Sequence, residues 1–123
     1  MRFTILVLTP PECGDANARA AAFVGQLLEA GHDLACVFFH DAGVLTGLNA
    51  SEAPQDEADV RDSWTQLAQD RGARLIACVA SAARHGVASE AVPGRLAAGF
   101  EIGGLGELVE ASAVSDRLLT FAG

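Results

Sequence analysis

The sequence contains no lysine: its eight basic residues are all arginine, against sixteen acidic residues and a formal net charge of -8. The absence of lysine excludes a Schiff base and a P-loop, because both kinds of site need that amine. The shortage of positive charge argues against direct binding of nucleic acid, since a protein that holds the phosphate backbone needs a basic face. The function therefore has to be sought among other kinds of site.

Long apolar runs and numerous cysteines are also missing. The longest apolar run near the start covers residues 5–8, far short of a membrane span, and no basic segment followed by a long apolar one precedes it. Three cysteines, Cys13, Cys36 and Cys78, cannot all pair within one chain, and three are few for a disulfide-stabilised secreted domain. We expect a cytoplasmic protein with reduced thiols and no membrane segment.

The sequence shows no motif for a cofactor or a metal. The stretch TPPECGDANA, residues 9–18, has one glycine and no lysine, so it matches neither a dinucleotide fingerprint nor a phosphate-binding loop. The glycine-rich stretch GGLGEL, residues 103–108, leads into an apolar helix and is interpreted as a tight turn with close packing. The three histidines lack ligand spacing relative to the cysteines. We therefore predict neither a cofactor nor a metal site.

The sequence does contain a regular alternation of apolar strands and amphipathic helices within 123 residues, the length of one domain. Strands are predicted over 3–9, 33–40, 74–79, 99–102 and 117–121. Helices are predicted over 15–30, from Val60 to a C-cap at Gly72, over 81–85 and through Leu105 to Ala113, with a long loop over 41–56. This order predicts an α/β fold, a five-stranded, mostly parallel sheet with helices on both faces. We expect the flavodoxin-like strand order, in which the first and third strands are neighbours.

The stretch RLIACVASAARHG, residues 74–86, places Cys78 at the carboxyl end of the third strand, just before a short helix. Open α/β sheets bind their ligands at this edge. Free N–H groups at the helix start, with Arg84 and His85 beyond them, would favour a thiolate at Cys78. The alternative is that Cys78 packs in the core as a small apolar side chain. The residues by themselves leave both interpretations open.

The other two cysteines have different settings. Cys36 lies in the middle of the second strand and is interpreted as a core residue. Cys13 lies in the loop after the first strand, where it is either an incidental exposed thiol or a second thiol that acts together with Cys78. In the predicted strand order the loop with Cys13 and the turn with Cys78 open onto the same crevice.

The chain resembles the TusD/DsrE family of small sulfur-relay subunits in five segments, which are, in order, MRFTILV, GHDLACVFFHDAGV, CVASAARHGV, GLGELVEAS and SDRLLTF. The resemblance covers essentially the whole chain and implies a DsrE-like fold and a sulfurtransferase without a cofactor. Cys78 would accept sulfane sulfur as a persulfide, with Arg84 and the helix start holding the anion and Ser81 donating a hydrogen bond to it. The family usually has two arginines where Arg84 and His85 stand here, so the second positive charge depends on protonation of His85.

The resemblance also implies partners. An upstream persulfide donor would load Cys78, and a small TusE/DsrC-like acceptor protein would take the sulfur away. Two related small subunits, TusC/DsrF-like and TusB/DsrH-like, would join this one in a hetero-hexamer that serves either tRNA wobble-uridine 2-thiolation or cytoplasmic sulfur oxidation. Two alternatives stay open: a non-catalytic assembly subunit of the same complex, and a thiol-redox sensor that uses Cys13 and Cys78. The segment 86–100 is shorter than is usual in the family, so the resemblance does not decide whether a loop closes over Cys78.

Overall fold

A computed structural model describes residues 1–49, 52–54, 58–88 and 93–123. The strands are β1 (Arg2–Val7), β2 (Asp33–Phe39), β3 (Leu75–Cys78), β4 (Phe100–Gly103) and β5 (Arg117–Phe121). The α-helices are α1 (Ala16–Glu29), α2 (Ala58–Arg71), α3 (Val79–Arg84) and α4 (Leu105–Val114). Two short 3-10 helices cover Asp41–Gly47 and Pro93–Arg95. No helix in these ranges is long and apolar enough to cross a membrane.

The ends of the elements follow from local chemistry. β1 stops before Pro10 and Pro11, which lack the N–H that a strand ladder needs. α1 and α2 each end just before a glycine with positive φ, Gly31 at 86° and Gly72 at 67°, a conformation that residues with a Cβ rarely adopt. All the strands and helices predicted from the sequence are present, and their boundaries differ from the predicted ones by a few residues at most.

The sheet contains five strands in the order β4-β3-β2-β1-β5, and every adjacent pair is parallel. The predicted fold class is confirmed: an α/β protein with a parallel sheet. The expectation that the first and third strands are neighbours was wrong, because β2 lies between them. Three crossovers in succession move in the same direction along the sheet, from β1 to β4, and the last connection returns past β1 to place β5 at the opposite edge.

Helices cover both faces of the sheet. Phe3 of β1 packs edge-on against Phe23 of α1, with ring centres 5.9 Å apart, and Phe39 of β2 packs in the same way against Trp64 of α2 at 5.1 Å. The next residue along β1, Thr4, points to the other face, where its hydroxyl lies 2.7 Å from that of Ser115 at the end of α4. α1 and α2 thus lie on one face, and α4 packs on β1 and β2 from the other.

The segment predicted as a long loop over 41–56 is partly regular. Its first part is the 3-10 helix Asp41–Gly47, which packs against β2, β3 and α3. Gly43 approaches the end of β1 so closely that a Cβ there would lie 2.3 Å from the Val7 carbonyl oxygen. Residues 50, 51, 55 and 56 of that segment, and 89–92 of the segment predicted to be short for the family, lie outside the described residues.

Candidate functional site

Cys78 is the last residue of β3 and the N-cap of α3, so the chain turns from strand to helix at this residue. No side chain caps the start of α3. The position at the carboxyl edge of the sheet agrees with the sequence prediction. The side chain, however, is only 2% exposed, so Cys78 combines the place expected of a nucleophile with the burial expected of a core residue.

The three residues predicted to support Cys78 lie together on α3 and just after it. Ser81 is buried, and its hydroxyl accepts a hydrogen bond of 2.9 Å from the backbone N–H of Asp41. Arg84 Nη2 lies 3.4 Å from the Ser81 hydroxyl and 3.4 Å from Asp41 Oδ1. His85 Nε2 donates to the same carboxylate oxygen at 3.2 Å. The structure thus brings Ser81, Arg84 and His85 together around a fourth residue, Asp41.

Asp41 is the residue of this group that the sequence did not single out. It lies two residues after the end of β2 and has a φ of 52°, which makes it the one non-glycine residue with positive φ in the described ranges. The hydrogen bond from His85 is the main cause that lowers the pKa of its carboxyl group; desolvation opposes this effect, and Arg84 adds to it. The carboxylate is therefore charged and pairs with both basic side chains of α3 and its C-cap. A sequence signal did exist, since a polar residue just beyond the carboxyl end of a buried parallel strand stands at the ligand-binding edge.

Cys13 is exposed in the loop between β1 and α1. Arg61 of α2 holds this loop: it is 6% exposed and forms hydrogen bonds with both carboxylate oxygens of Glu12. The same guanidinium donates to the Leu45 carbonyl oxygen at 2.9 Å. Because β2 separates β1 from β3, Cys13 and Cys78 extend from strands that are not adjacent, contrary to the crevice predicted from the flavodoxin-like order.

A buried hydrogen-bond network holds the β1 side of this edge. Asn17 of α1 is fully buried, and its amide donates to the Thr9 carbonyl oxygen at 2.9 Å and to the Thr46 hydroxyl at 2.8 Å. Its carbonyl oxygen accepts from the Trp64 indole N–H at 2.8 Å. Thr46 in turn donates to the Gly43 carbonyl oxygen at 2.7 Å. One side chain thereby ties together the first loop, the 3-10 helix Asp41–Gly47 and α2.

Cys36 is fully buried in the middle of β2, which confirms its interpretation as a core residue. Burial raises the pKa of its thiol to about 11, although Arg74 opposes the effect. A thiol with so high a pKa carries almost no thiolate near neutral pH, and the thiolate is the reactive form. Cys36 is thus an unreactive internal reference for the other two cysteines.

The outer surface of α4 is apolar and uncovered. Leu105 and Val109, one turn apart, are 51% and 67% exposed, and no residue of this helix is fully buried. The sequence pattern predicted an apolar face through Leu105, Leu108, Val109 and Ala113, of which only Leu108 packs against the core. Exposed apolar patches of this kind mark interaction surfaces. We refer to Leu105 and Val109 as the α4 patch.

Comparison with known proteins agrees with the fold. The crystal structure of the ychN protein from E. coli superposes with a TM-score of 0.82, covering 98% of this chain and 99% of that chain at 20% sequence identity. At this level of identity the likeness concerns the fold. It shows that the β4-β3-β2-β1-β5 arrangement is that of a solved protein.

Comparison of the sequences is closer. Sulfurtransferase TusD from Klebsiella pneumoniae subsp. pneumoniae is 40% identical, over 98% of this chain and the whole of the relative. Sulfurtransferase TusD from Erwinia tasmaniensis and the Sulfurtransferase TusD homolog from Vibrio vulnificus are each 39% identical, with similar coverage. The model of the DsrE/DsrF-like family matches residues 1–121. The chain therefore belongs to the DsrE/DsrF-like family.

Proposed function

We propose that this protein is a sulfurtransferase of a sulfur relay that carries sulfane sulfur as a persulfide on Cys78. The observation that carries the proposal is the place of Cys78: it ends a strand at the ligand-binding edge and begins the short helix that carries Ser81 and Arg84, with His85 at its C-cap. Full-length identity of about 40% to sulfurtransferases supports the reaction class. Cys13 and Cys36 lack this combination, because one is on an exposed loop and the other is within a strand.

Two exchange steps between sulfur atoms make up the reaction. The Cys78 thiolate attacks the outer sulfur of a donor persulfide, so that a new S–S bond forms on Cys78 and the donor leaves as a thiolate. An acceptor thiolate then attacks the outer sulfur of the Cys78 persulfide, and the Cys78 thiolate is regenerated as that S–S bond breaks. No electrons are gained or lost overall. The role of Arg84, and of His85 when protonated, is to stabilise the anion that is present before and after each step.

The proposed partners are those of a relay. An upstream persulfide donor loads Cys78, and a TusE/DsrC-like acceptor unloads it in the cytoplasm. TusC/DsrF-like and TusB/DsrH-like subunits complete a hetero-hexamer, for which the α4 patch is a candidate contact surface. The net charge of -8 favours handing sulfur to a protein over handling tRNA directly, whether the relay ends in tRNA thiolation or in sulfur oxidation.

The assembly is tested separately from the chemistry. Co-expression with TusC/DsrF-like and TusB/DsrH-like subunits, followed by light scattering on a sizing column, should give a complex larger than a trimer. Val109→Asp should weaken it if α4 is the contact, while the matched change Val79→Asp, at another exposed valine, should have a smaller effect. Equal elution of both variants with the wild-type complex would remove the α4 patch from the interface.

A non-catalytic assembly subunit is the second candidate, and the 2% exposure of Cys78 is the observation that favours it. Incubation with a persulfide donor followed by intact mass measurement separates the two. A carrier gains the mass of one sulfur atom, Cys78→Ser does not, and Cys13→Ser and Cys36→Ser gain it as the wild type does. An unmodified wild type, or a Cys78→Ser variant that still gains the sulfur, would leave assembly as the function.

A further inference from the structure

Asp41 joins the 3-10 helix Asp41–Gly47 to α3 through three contacts. Its backbone N–H donates to the buried Ser81 hydroxyl, and its carboxylate accepts from His85 and lies 3.4 Å from Arg84 Nη2. These contacts hold α3 from its third residue to its C-cap. Asp41 forms them from a left-handed backbone conformation, φ 52°, that is uncommon among residues other than glycine.

The two sides of this connection differ in how firmly they are held. Gly43, Val44 and Thr46 of the 3-10 helix are buried, and Thr46 belongs to the Asn17 network. α3 has six residues, of which only Ser81 and Ala82 are buried, and no side chain caps its start. If the connection opens, α3 is therefore the element that moves.

The contacts between Asp41 and α3 matter for function because Cys78, at the start of this helix, is buried. Cys78 is the N-cap of α3, so a movement of α3 away from Asp41 also moves the backbone that carries the thiol. A thiol that is 2% exposed must become more exposed before it can attack a sulfur atom held by another protein. We propose that Asp41 is a positioning residue that holds α3 closed, meaning the arrangement in which Cys78 is buried, and that sulfur transfer requires Asp41 to release this helix. The closure stands on the geometry, whereas its role in transfer rests on the proposed function.

The three cysteines make the closure measurable in one sample. Iodoacetamide modification of the native protein, followed by peptide mass mapping, gives a separate rate for each cysteine: the exposed Cys13, the buried Cys78 with 2% exposure, and the fully buried Cys36. The rate is measured across pH up to its plateau, where Cys78 is fully ionised. A change of access raises the plateau in Asp41→Asn and in Arg84→Gln alike. A purely electrostatic effect moves the midpoint and, through the nucleophilicity of the thiolate, shifts the plateau in opposite directions in these two variants.

The main variant is Asp41→Asn, because asparagine tolerates positive φ and keeps the backbone N–H that contacts Ser81. We expect the plateau rate of Cys78 to rise on the order of two- to fivefold, the size of effect of an exposed ion pair, with Cys13 and Cys36 unchanged. Asp15→Asn is the matched control, since Asp15 forms another exposed ion pair, with Arg19 in α1, and it should leave the rates of Cys78 and Cys36 unchanged. Arg84→Gln is a second route to the same opening and should also raise the plateau.

Three results would overturn the closure: an unchanged Cys78 plateau in both variants, plateau changes of opposite sign in the two variants, or a parallel rise of Cys36, which would report general unfolding. Sulfur loading of the same samples separates the two proposals. Faster alkylation without any sulfur on the wild type or the variant would leave the closure standing and refute the carrier. If the wild type gains sulfur but Asp41→Asn does not change the alkylation rate of Cys78, the carrier stands and the closure is refuted.

Discussion

The two sides of the carboxyl edge of the sheet, the β1 side and the β3 side, are held by different kinds of contact. At the β1 side, Asn17 and Arg61 are buried and hydrogen-bonded to the backbone and to other side chains, so the loops there are fixed from inside. At the β3 side, α3 is joined to the 3-10 helix by a backbone hydrogen bond, from the Asp41 N–H to Ser81, and by exposed pairs of the Asp41 carboxylate with Arg84 and His85. Buried, paired polar groups are costly to disturb, and exposed ion pairs are not. The difference suggests a rigid half that supports a lightly held half, where the proposed chemistry takes place.

The largest effect is expected at the centre of the rigid half. Asn17→Ala removes three hydrogen bonds and leaves the Trp64 indole N–H buried without its partner. We expect a loss of about 3 kcal/mol in the free energy of unfolding, or roughly 10 °C in Tm, measured by thermal and urea unfolding. Gln26→Ala on the exposed side of α1 is the control and should cost less than about 0.5 kcal/mol. Equal losses for both would mean that the network does not hold this edge.

A smaller effect is expected from the ion pair beneath the Cys13 loop. Arg61→Met leaves Glu12 and the Leu45 carbonyl oxygen without their donor, so we expect a loss of about 2 kcal/mol by urea unfolding. The same change at Arg71, also on α2, breaks an exposed pair with Glu29 and should cost less than about 0.5 kcal/mol. Similar losses for the two variants would contradict the distinction between buried and exposed contacts.

The smallest effect on stability is expected in the lightly held half. His85→Ala removes the main cause of the lowered pKa of Asp41, which should rise toward the ordinary carboxyl value, as followed by NMR titration of the side-chain carboxyl. Because the pKa of Asp41 in the folded protein is lowered, its contacts stabilise the fold above the ordinary carboxyl pKa. They are lost as the pH falls through the lowered value.

His85→Ala should therefore flatten this part of the acid unfolding curve and leave the Tm at neutral pH nearly unchanged. His32→Ala, beside the amino terminus, is the control and should leave the titration of Asp41 as it is in the wild type. An Asp41 titration that is the same in His85→Ala and wild type would show that His85 does not hold this carboxylate.

The strands and helices could be predicted from the sequence, but the order of the strands in the sheet could not. The strand over 117–121 was predicted with the residues it has, because apolar periodicity is a local property. The prediction that β1 is a neighbour of β3 was wrong, since which strands pair depends on the direction of each crossover, and periodicity does not record this. The place of Cys78 at a strand end was found from the pattern, but its 2% exposure was not, because burial depends on elements far away in the chain.

The residues that organise the edge were missed for the same reason. Asp41 lies forty residues before Ser81, so their contact has no local signature. Asn17 did leave a signal, since it stands on the apolar stripe of α1 with Ala20, Ala21 and Val24, where a polar residue needs buried partners. The family resemblance, carried by segments from the whole chain, was confirmed by the match over residues 1–121.

The most direct test of the carrier is transfer from Cys78 to an acceptor. The protein is loaded with a persulfide donor, freed of it by gel filtration and mixed with a TusE/DsrC-like acceptor, and both masses are followed with time. We expect one sulfur atom to leave this protein for each one gained by the acceptor, with no transfer from Cys78→Ser or to an acceptor whose thiols are blocked. Sulfur that stays on Cys78, or equal transfer from Cys78→Ser, would contradict the assignment of Cys78 as the carrier.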